Sequence, residues 1–303
     1  MIITGLGEGG AVFVRCEDSR ITAAVQQHSG CRAPGAEYHA YRTVIMHDVS
    51  FCRAKRMPIQ YLSGLTAQVR TGQADLHIGV ILALVAGALN AGGFLAIGQY
   101  TSHMTGMVSA VADHIVLRNF ALAGIAAIAW IAFLAGAAFT ALIVNYLRRA
   151  DVRHPYAVPL LLEVSLILLF GAFGATLEKH EALDVSLAVT TLCFTMGLQN
   201  ALITKISQAE IRTTHVTGLT TDLGIEIGKL LYWNGKRPDD KRVPVLANRN
   251  KLRVHAMLIA SFLVGGSAGA LGFHYAGFIF TVPLALALAV IAVAPAVGSV
   301  RSK

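Results

Sequence analysis

"GALNAGGFLAIGQYTSHMTG", residues 87–106, runs from an apolar stretch into a polar phrase, and "MGLQNALITKISQAEIRTTHVTG", residues 196–218, does so again. "GALNA" at 87–91 matches "GLQNA" at 197–201 with an offset of 110, and "TSHMTG" at 101–106 matches "TTHVTG" at 213–218 with an offset of 112. The chain therefore carries a duplicated unit, each copy an apolar helix followed by a polar phrase and a short second helix.

The surroundings say which solvent the unit belongs in. Of 303 residues 55% are hydrophobic and only 14% charged, against about 25% charged in an ordinary soluble domain, and mean hydropathy is +0.60. A membrane span needs about 20 apolar residues. Six stretches qualify, near 77–99, 120–147, 156–177, 185–206, 254–275 and 277–298. The last two are separated by a very short turn near Ala276. Two shorter and more polar segments, 101–118 and 213–232, read as helices that do not face lipid. The expected fold is all-α: a polytopic membrane protein of six transmembrane helices plus two re-entrant or half helices.

Basic residues orient the spans, because Lys and Arg gather on the cytoplasmic side. Arg53, Lys55, Arg56 and Arg70 precede the first span; Arg148, Arg149 and Arg153 follow the second. Lys236, Arg237, Lys241, Arg242, Arg249, Lys251 and Arg253 lie between the fourth and fifth, and Arg301 and Lys303 follow the sixth. Six spans with both termini cytoplasmic satisfy this pattern. Eight would put the Arg148, Arg149 and Arg153 cluster outside. The formal net charge of +8 is thus explained by membrane topology, and no nucleic-acid partner is expected. The partners expected are the lipid bilayer and a small solute, and an oligomer of this chain is compatible with the sequence.

Repeat one covers about 77–177 and repeat two about 185–298, within a membrane domain at 57–303. Three spans per copy is an odd number, so the second copy enters the bilayer from the opposite side, an inverted-topology repeat of the kind that builds many transporters. Residues 1–56 are mixed and polar without a lasting period, and are expected to be disordered or weakly ordered. Met57 reads as a natural start, which would make 1–56 a mis-annotated extension. The first 25 residues lack the basic start and apolar core of a cleavable signal peptide. Cys16, Cys31, Cys52 and Cys193 show no paired spacing and are expected as free thiols.

A helix start leaves four N–H groups unpaired and carries partial positive charge. At membrane depth such an end is tolerated only inside protein or beside water. Thr101 or Ser102, and Thr213 or Thr214, are candidate N-caps. Gly106 and Gly218 would admit a close backbone or ligand. Thr105 and Ser109 share a helix face, as do Thr217 and Thr221. With His103 and His215 these residues could hold an anion or polar solute. The bland reading of the two histidines is neutral imidazoles satisfying helix ends.

At this point the paired phrases resemble the YoaK-type bacterial inner-membrane proteins, a domain family of unknown function, over roughly 70–298. The resemblance implies a polytopic inner-membrane protein and supplies no catalytic residues. That family more often has Asp where Asn90 stands and Asn where Met107 stands, so an ionic role at the acidic position does not carry over.

Other residues carry two readings each. Asn90, Asn200 and Gln199 either join helices through amide bonds or line a solute path. Glu163, inside the third span, is either a proton or cation coupling group or a structural hydrogen bond. Asp222 could face the same cavity as Gly218, while Glu226 and Lys229 are spaced as a local ion pair. His77, His103, His114 and His215 lack the spacing of a metal site, and no metal or cofactor is expected. The glycines of "GGFLAIG", 92–98, and "GGSAG", 265–269, suit close helix packing rather than a phosphate loop. The leading function is a secondary transporter or facilitator of a small polar or anionic solute, without enzymatic activity. The alternatives are a passive channel, a membrane-embedded enzyme, and a non-transporting sensor or partner subunit.

Overall fold

A computed structural model describes residues 2–6, 12–15, 22–25, 58–68, 70–98, 100–176, 181–207, 213–233 and 244–300. The chain separates into two units, Met1–Lys55 and Arg56–Lys303. In the first, β1 (Ile2–Leu6), β2 (Val12–Arg15) and β3 (Thr22–Val25) form an antiparallel meander. Ile2 pairs with Arg15 and Val12 with Val25. No strand is read in this stretch from the sequence. Runs of four or five residues are too short to show a period of two above background. Cys16, Cys31, Cys52 and Met57 lie outside the described residues.

Among its described residues, the regular elements of the second unit are all helices. It contains α1 (Pro58–Leu65), α2 (Gly72–Ile97), α3 (Met104–Val116), α4 (Phe120–Arg149), α5 (Ala157–Thr176), α6 (Glu181–Ile206), α7 (Val216–Leu231), α8 (Arg249–Ala276) and α9 (Thr281–Val300). Five apolar stretches are long enough to cross a membrane: Gly72–Leu95, Phe120–Arg149, Ala157–Gly174, Leu187–Ile206 and Arg249–Val297. The chain is a multi-pass membrane protein. The fifth stretch, 49 residues long, holds both α8 and α9. Gly277 breaks it at φ 59, and a 3-10 turn over Gly277–Phe280 follows. The turn is packed by an aromatic cluster in which Phe273 lies edge-on to Phe278 and Phe280.

α2 and α6 contribute much of the core: Ile78, Leu82, Leu89, Leu192, Met196 and Leu202 are all fully buried. α4, α8 and α9 show apolar residues outward, among them Trp130, Leu134, Leu142, Leu263, Leu271, Leu286 and Val290. In water such faces would be a liability; toward lipid they are the expected surface.

Glycines set the closest approaches. A Cβ at Gly87 would overlap the Phe262 carbonyl of α8, and one at Gly265 the Leu84 carbonyl of α2. Across the other pair, a Cβ at Gly197 would overlap the Phe133 carbonyl of α4, and one at Gly136 the Phe194 carbonyl of α6. The two sets are the same contacts exchanged. Positions 197 and 194 lie 110 past 87 and 84, while 262 and 265 lie 129 past 133 and 136. The glycines of 265–269 thus pack helices, as the sequence suggested, and Gly269 sits against Ala88.

The contacts also fix directions. Along α2 and α8, Leu84 meets Gly265 and Ala88 meets Gly269, so partner numbers rise together and the helices are parallel. Along α4 and α6, Gly136 meets Phe194 and the Thr140 hydroxyl donates to the Leu198 carbonyl at 3.3 Å, again parallel. Between α2 and α6, Leu82 meets Gln199 and Gly93 meets Leu192. Here one number rises as the other falls, so the pair is antiparallel.

Candidate functional site

The two polar phrases form the same local structure. Asn90 on α2 accepts from the Ser102 backbone N–H at 3.2 Å and from the Ser102 hydroxyl at 3.0 Å. Asn200 on α6 accepts from the Thr214 hydroxyl at 2.6 Å. In both copies the buried amide of a long helix clamps the phrase that follows it. Thr101 and Thr213, one residue earlier in each phrase, are fully buried, and neither hydroxyl has a hydrogen-bond partner among the described residues.

The helix starts differ from the expectation. The residue ahead of α3 is His103, at φ −89 and ψ 67, and ahead of α7 it is His215, at φ −81 and ψ 55. Neither caps through its side chain; the His103 carbonyl accepts from Met107 N and the His215 carbonyl from Leu219 N. The Ser102 and Thr214 hydroxyls, expected to cap, turn back to the asparagines instead. α3 and α7 start after the histidines, which leaves Ser102 and Thr214 one residue short of the N-cap position, and their hydroxyls donate to the asparagine oxygens.

The imidazoles of His103 and His215 are exposed, as are Thr105, Ser109, Thr217, Gly218 and Thr221. Thr221 donates to the Thr217 carbonyl at 2.9 Å. The inner faces of the short helices are closed by apolar residues at matching positions: Met107 packs with Ala129, Ala132, Val189 and Cys193, and Leu219 joins the main core. The glycines are not equivalent. A Cβ at Gly106 would strike the His103 ring, whereas Gly218 has open space beside it. Each short helix packs on the long helix that follows it, α3 on α4 and α7 on α8, and the two do not pack on each other among the described residues.

Acidic residues lie apart from the phrases. Asp222 pairs with Lys251 of α8 at 3.8 Å rather than with the Gly218 end. Glu226 and Lys229 make the expected ion pair at 2.8 Å. The second Glu226 oxygen accepts from the Asn248 N–H at 2.7 Å, which ties α7 to the start of α8. The Lys229 hydrogen bond and then the Asn248 N–H hold this carboxyl below the ordinary glutamate range. Glu163, fully buried on α5, neighbours Gln199 on α6. Gln199 donates to the Leu82 carbonyl of α2 at 3.1 Å.

One polar cluster was missed in the sequence. Arg70 pairs with Asp75 at 2.7 Å, donates to the Ile206 carbonyl at the end of α6 at 2.6 Å, and lies 4.5 Å over the Tyr156 ring. Counted only as a basic residue ahead of a span, it gave no sign of this partner 136 positions away. Nearby, His154 sits 3.4 Å from the Thr66 hydroxyl. Partial burial and then the Arg153 charge lower its pKa, against a hydrogen bond donated to the Ser63 backbone carbonyl that raises it.

No curated protein and no solved structure matches this chain. A family model described as protein of unknown function (DUF1275) matches residues 78–294, well over half of the chain, in agreement with the likeness drawn from the paired phrases. The chain belongs to this family of unknown function.

Proposed function

We propose that the chain crosses the bacterial inner membrane six times in two inverted copies, with both termini cytoplasmic, and serves as a secondary transporter or facilitator of a small polar or anionic solute. The observation that carries this reading is the duplicated clamp: Ser102 on Asn90 and Thr214 on Asn200, each holding an open helix start beside a long apolar helix. The helix directions support the inversion. Alternating spans require α2, α5 and α8 to run one way and α4, α6 and α9 the other. The parallel pairs α2 with α8 and α4 with α6, and the antiparallel pair α2 with α6, all obey that requirement. A 49-residue apolar run would measure about 73 Å as one helix at about 1.5 Å per residue. That is more than twice a hydrocarbon core of about 30 Å, so the break at Gly277 supports a fifth and a sixth span.

Open N–H groups, partial positive charge and hydroxyls suit a carboxylate, an inorganic anion or a polyol. In this reading the exposed His103 and His215 at the two helix starts contact the solute, and Glu163 is the coupling group. The reading involves no catalysis, no metal and no nucleic acid. Proteoliposomes loaded with the purified chain should accumulate or equilibrate a small polar solute from a screened panel. Uptake should fall in Asn90→Leu and Asn200→Leu, and a pH gradient separates coupled from passive passage. Equal uptake by both variants and the native chain would reject the site.

A further inference from the structure

At the end of the bundle where α4 and α6 finish, one arginine has no partner inside the protein. The Tyr156 ring, fully buried ahead of α5, has two guanidiniums beside it, Arg70 at 4.5 Å and Arg148 at 5.6 Å from its centroid. Arg70 is answered by the Asp75 carboxylate and by the Ala67 and Ile206 carbonyls. Arg148 is not: no hydrogen bond or ion pair joins it to any described residue, and its Nε is buried without an acceptor. A guanidinium so placed lacks the acceptors that burial calls for. The residue is only half-buried, and its terminal nitrogens are not sealed off. Its neighbours add charge of the same sign. Arg149, Arg153 and Lys205 lie at this end, none in an ion pair among the described residues, and the Lys205 ammonium donates to Asn145 Oδ1 of α4 at 3.2 Å. Over residues 145–156 the only carboxylate is Asp151, which is exposed.

The opposite end of the bundle carries no such cluster. By the offsets of 129 and 110, Arg148 falls on Gly277, Arg149 on Phe278 and Lys205 on Leu95. The shared helix packing therefore does not require these cations. Lipid is what adjoins them. Leu134, Ala138, Leu142 and Tyr146 form an exposed stripe on α4 at four-residue spacing, which is one helix face, and Arg149 lies at its end. We propose that Arg148, with Arg149 and Lys205 beside it, binds the phosphate of one anionic phospholipid whose acyl chains lie along the α4 stripe. The guanidinium fork matches two phosphate oxygens, which supplies the missing acceptors. The surrounding cations select a lipid of net negative charge over a zwitterionic one. On the orientation proposed above this is the cytoplasmic leaflet, and the site depends neither on that orientation nor on transport.

The full-length chain, delipidated in mild detergent, is titrated with phosphatidylglycerol, phosphatidylcholine or inorganic phosphate. Native mass spectrometry counts the lipid retained, and thermal unfolding reads the shift that each addition causes. Phosphatidylglycerol should be retained at one per chain and should raise the midpoint, with phosphatidylcholine and phosphate giving far smaller shifts at equal concentration. Arg148→Gln should weaken the lipid response about tenfold, since the bidentate contact is lost. Arg149→Gln should weaken it about fivefold, the loss of one surface cation. Arg253→Gln removes an equal charge from the exposed start of α8 and should leave the response unchanged. The reading is the lipid-dependent shift, so lower basal stability in Arg148→Gln does not imitate the result. If that variant is not recovered, the exposed Arg149 carries the test. No preference for phosphatidylglycerol over phosphatidylcholine, an equal response to inorganic phosphate, or equal weakening in Arg253→Gln would overturn the proposal.

Discussion

The Thr214 hydroxyl donates to Asn200 Oδ1 at 2.6 Å, and the Ser102 hydroxyl makes the same bond to Asn90 at 3.0 Å. Each bond joins a long core helix to the break ahead of a short one. Interhelical polar bonds in membranes contribute about 0.5–2 kcal/mol. Asn200→Leu and Asn90→Leu should each lower stability by about that amount in detergent-resistance or thermal unfolding assays. The two losses should add, since the pairs share no partner.

Glycine positions should divide sharply. At Gly87, Gly136, Gly197 and Gly265 an added methyl would enter a facing carbonyl. Alanine there should force the helices apart and cost about 1–3 kcal/mol. Gly124 and Gly224, mid-helix with nothing within 4 Å, should instead gain about 0.5–1 kcal/mol as alanine. Melting temperatures of the six variants give the comparison, and uniform destabilisation would contradict the packing described.

Arg70 closes the end of α6 with a side chain only 4% exposed, while Asp75 is 22% exposed. Removing one partner of a buried pair costs about 3–5 kcal/mol, and the partial exposure of Asp75 places Arg70→Met near the lower end of that range. Arg70→Lys should recover only part, because an ammonium cannot serve the carboxylate, the carbonyl and the Tyr156 ring together. Recovery of full stability in the lysine variant would show that charge alone matters.

Two groups outside the spans should make stability fall with acid. His154 has a lowered pKa, so the unfolded chain takes up its proton first. Its contribution is complete above about pH 6.5 and declines as pH drops below that value. Glu226 is also held low; its contribution is complete above about pH 4.3 and is lost as pH falls through the lower folded value. Unfolding midpoints measured against pH should lose the upper component in His154→Gln and the lower one in Glu226→Gln. An unchanged upper component in His154→Gln would assign it elsewhere.

The sequence by itself determined the membrane class and the helical, multi-pass character, because these depend on local quantities: apolar run length and breaks at polar phrases. It also marked the glycines of 265–269 for close helix packing, and it left Asn90 and Asn200 between joining helices and lining a solute path, since an amide inside a bilayer can serve either use. Which bonds they make was decided by tertiary structure alone. Ser102 and Thr214 suit an N-cap in isolation, but the helices start one residue later, after His103 and His215, and the two hydroxyls donate to the amide oxygens of Asn90 and Asn200. Asp222 is drawn to Lys251 and Arg70 to the end of α6 by groups that only folding brings near. The exchange of α2 with α6 and α4 with α8 is likewise invisible along the chain, because a packing partner is chosen by surface fit between helices and not by the order in which they are connected.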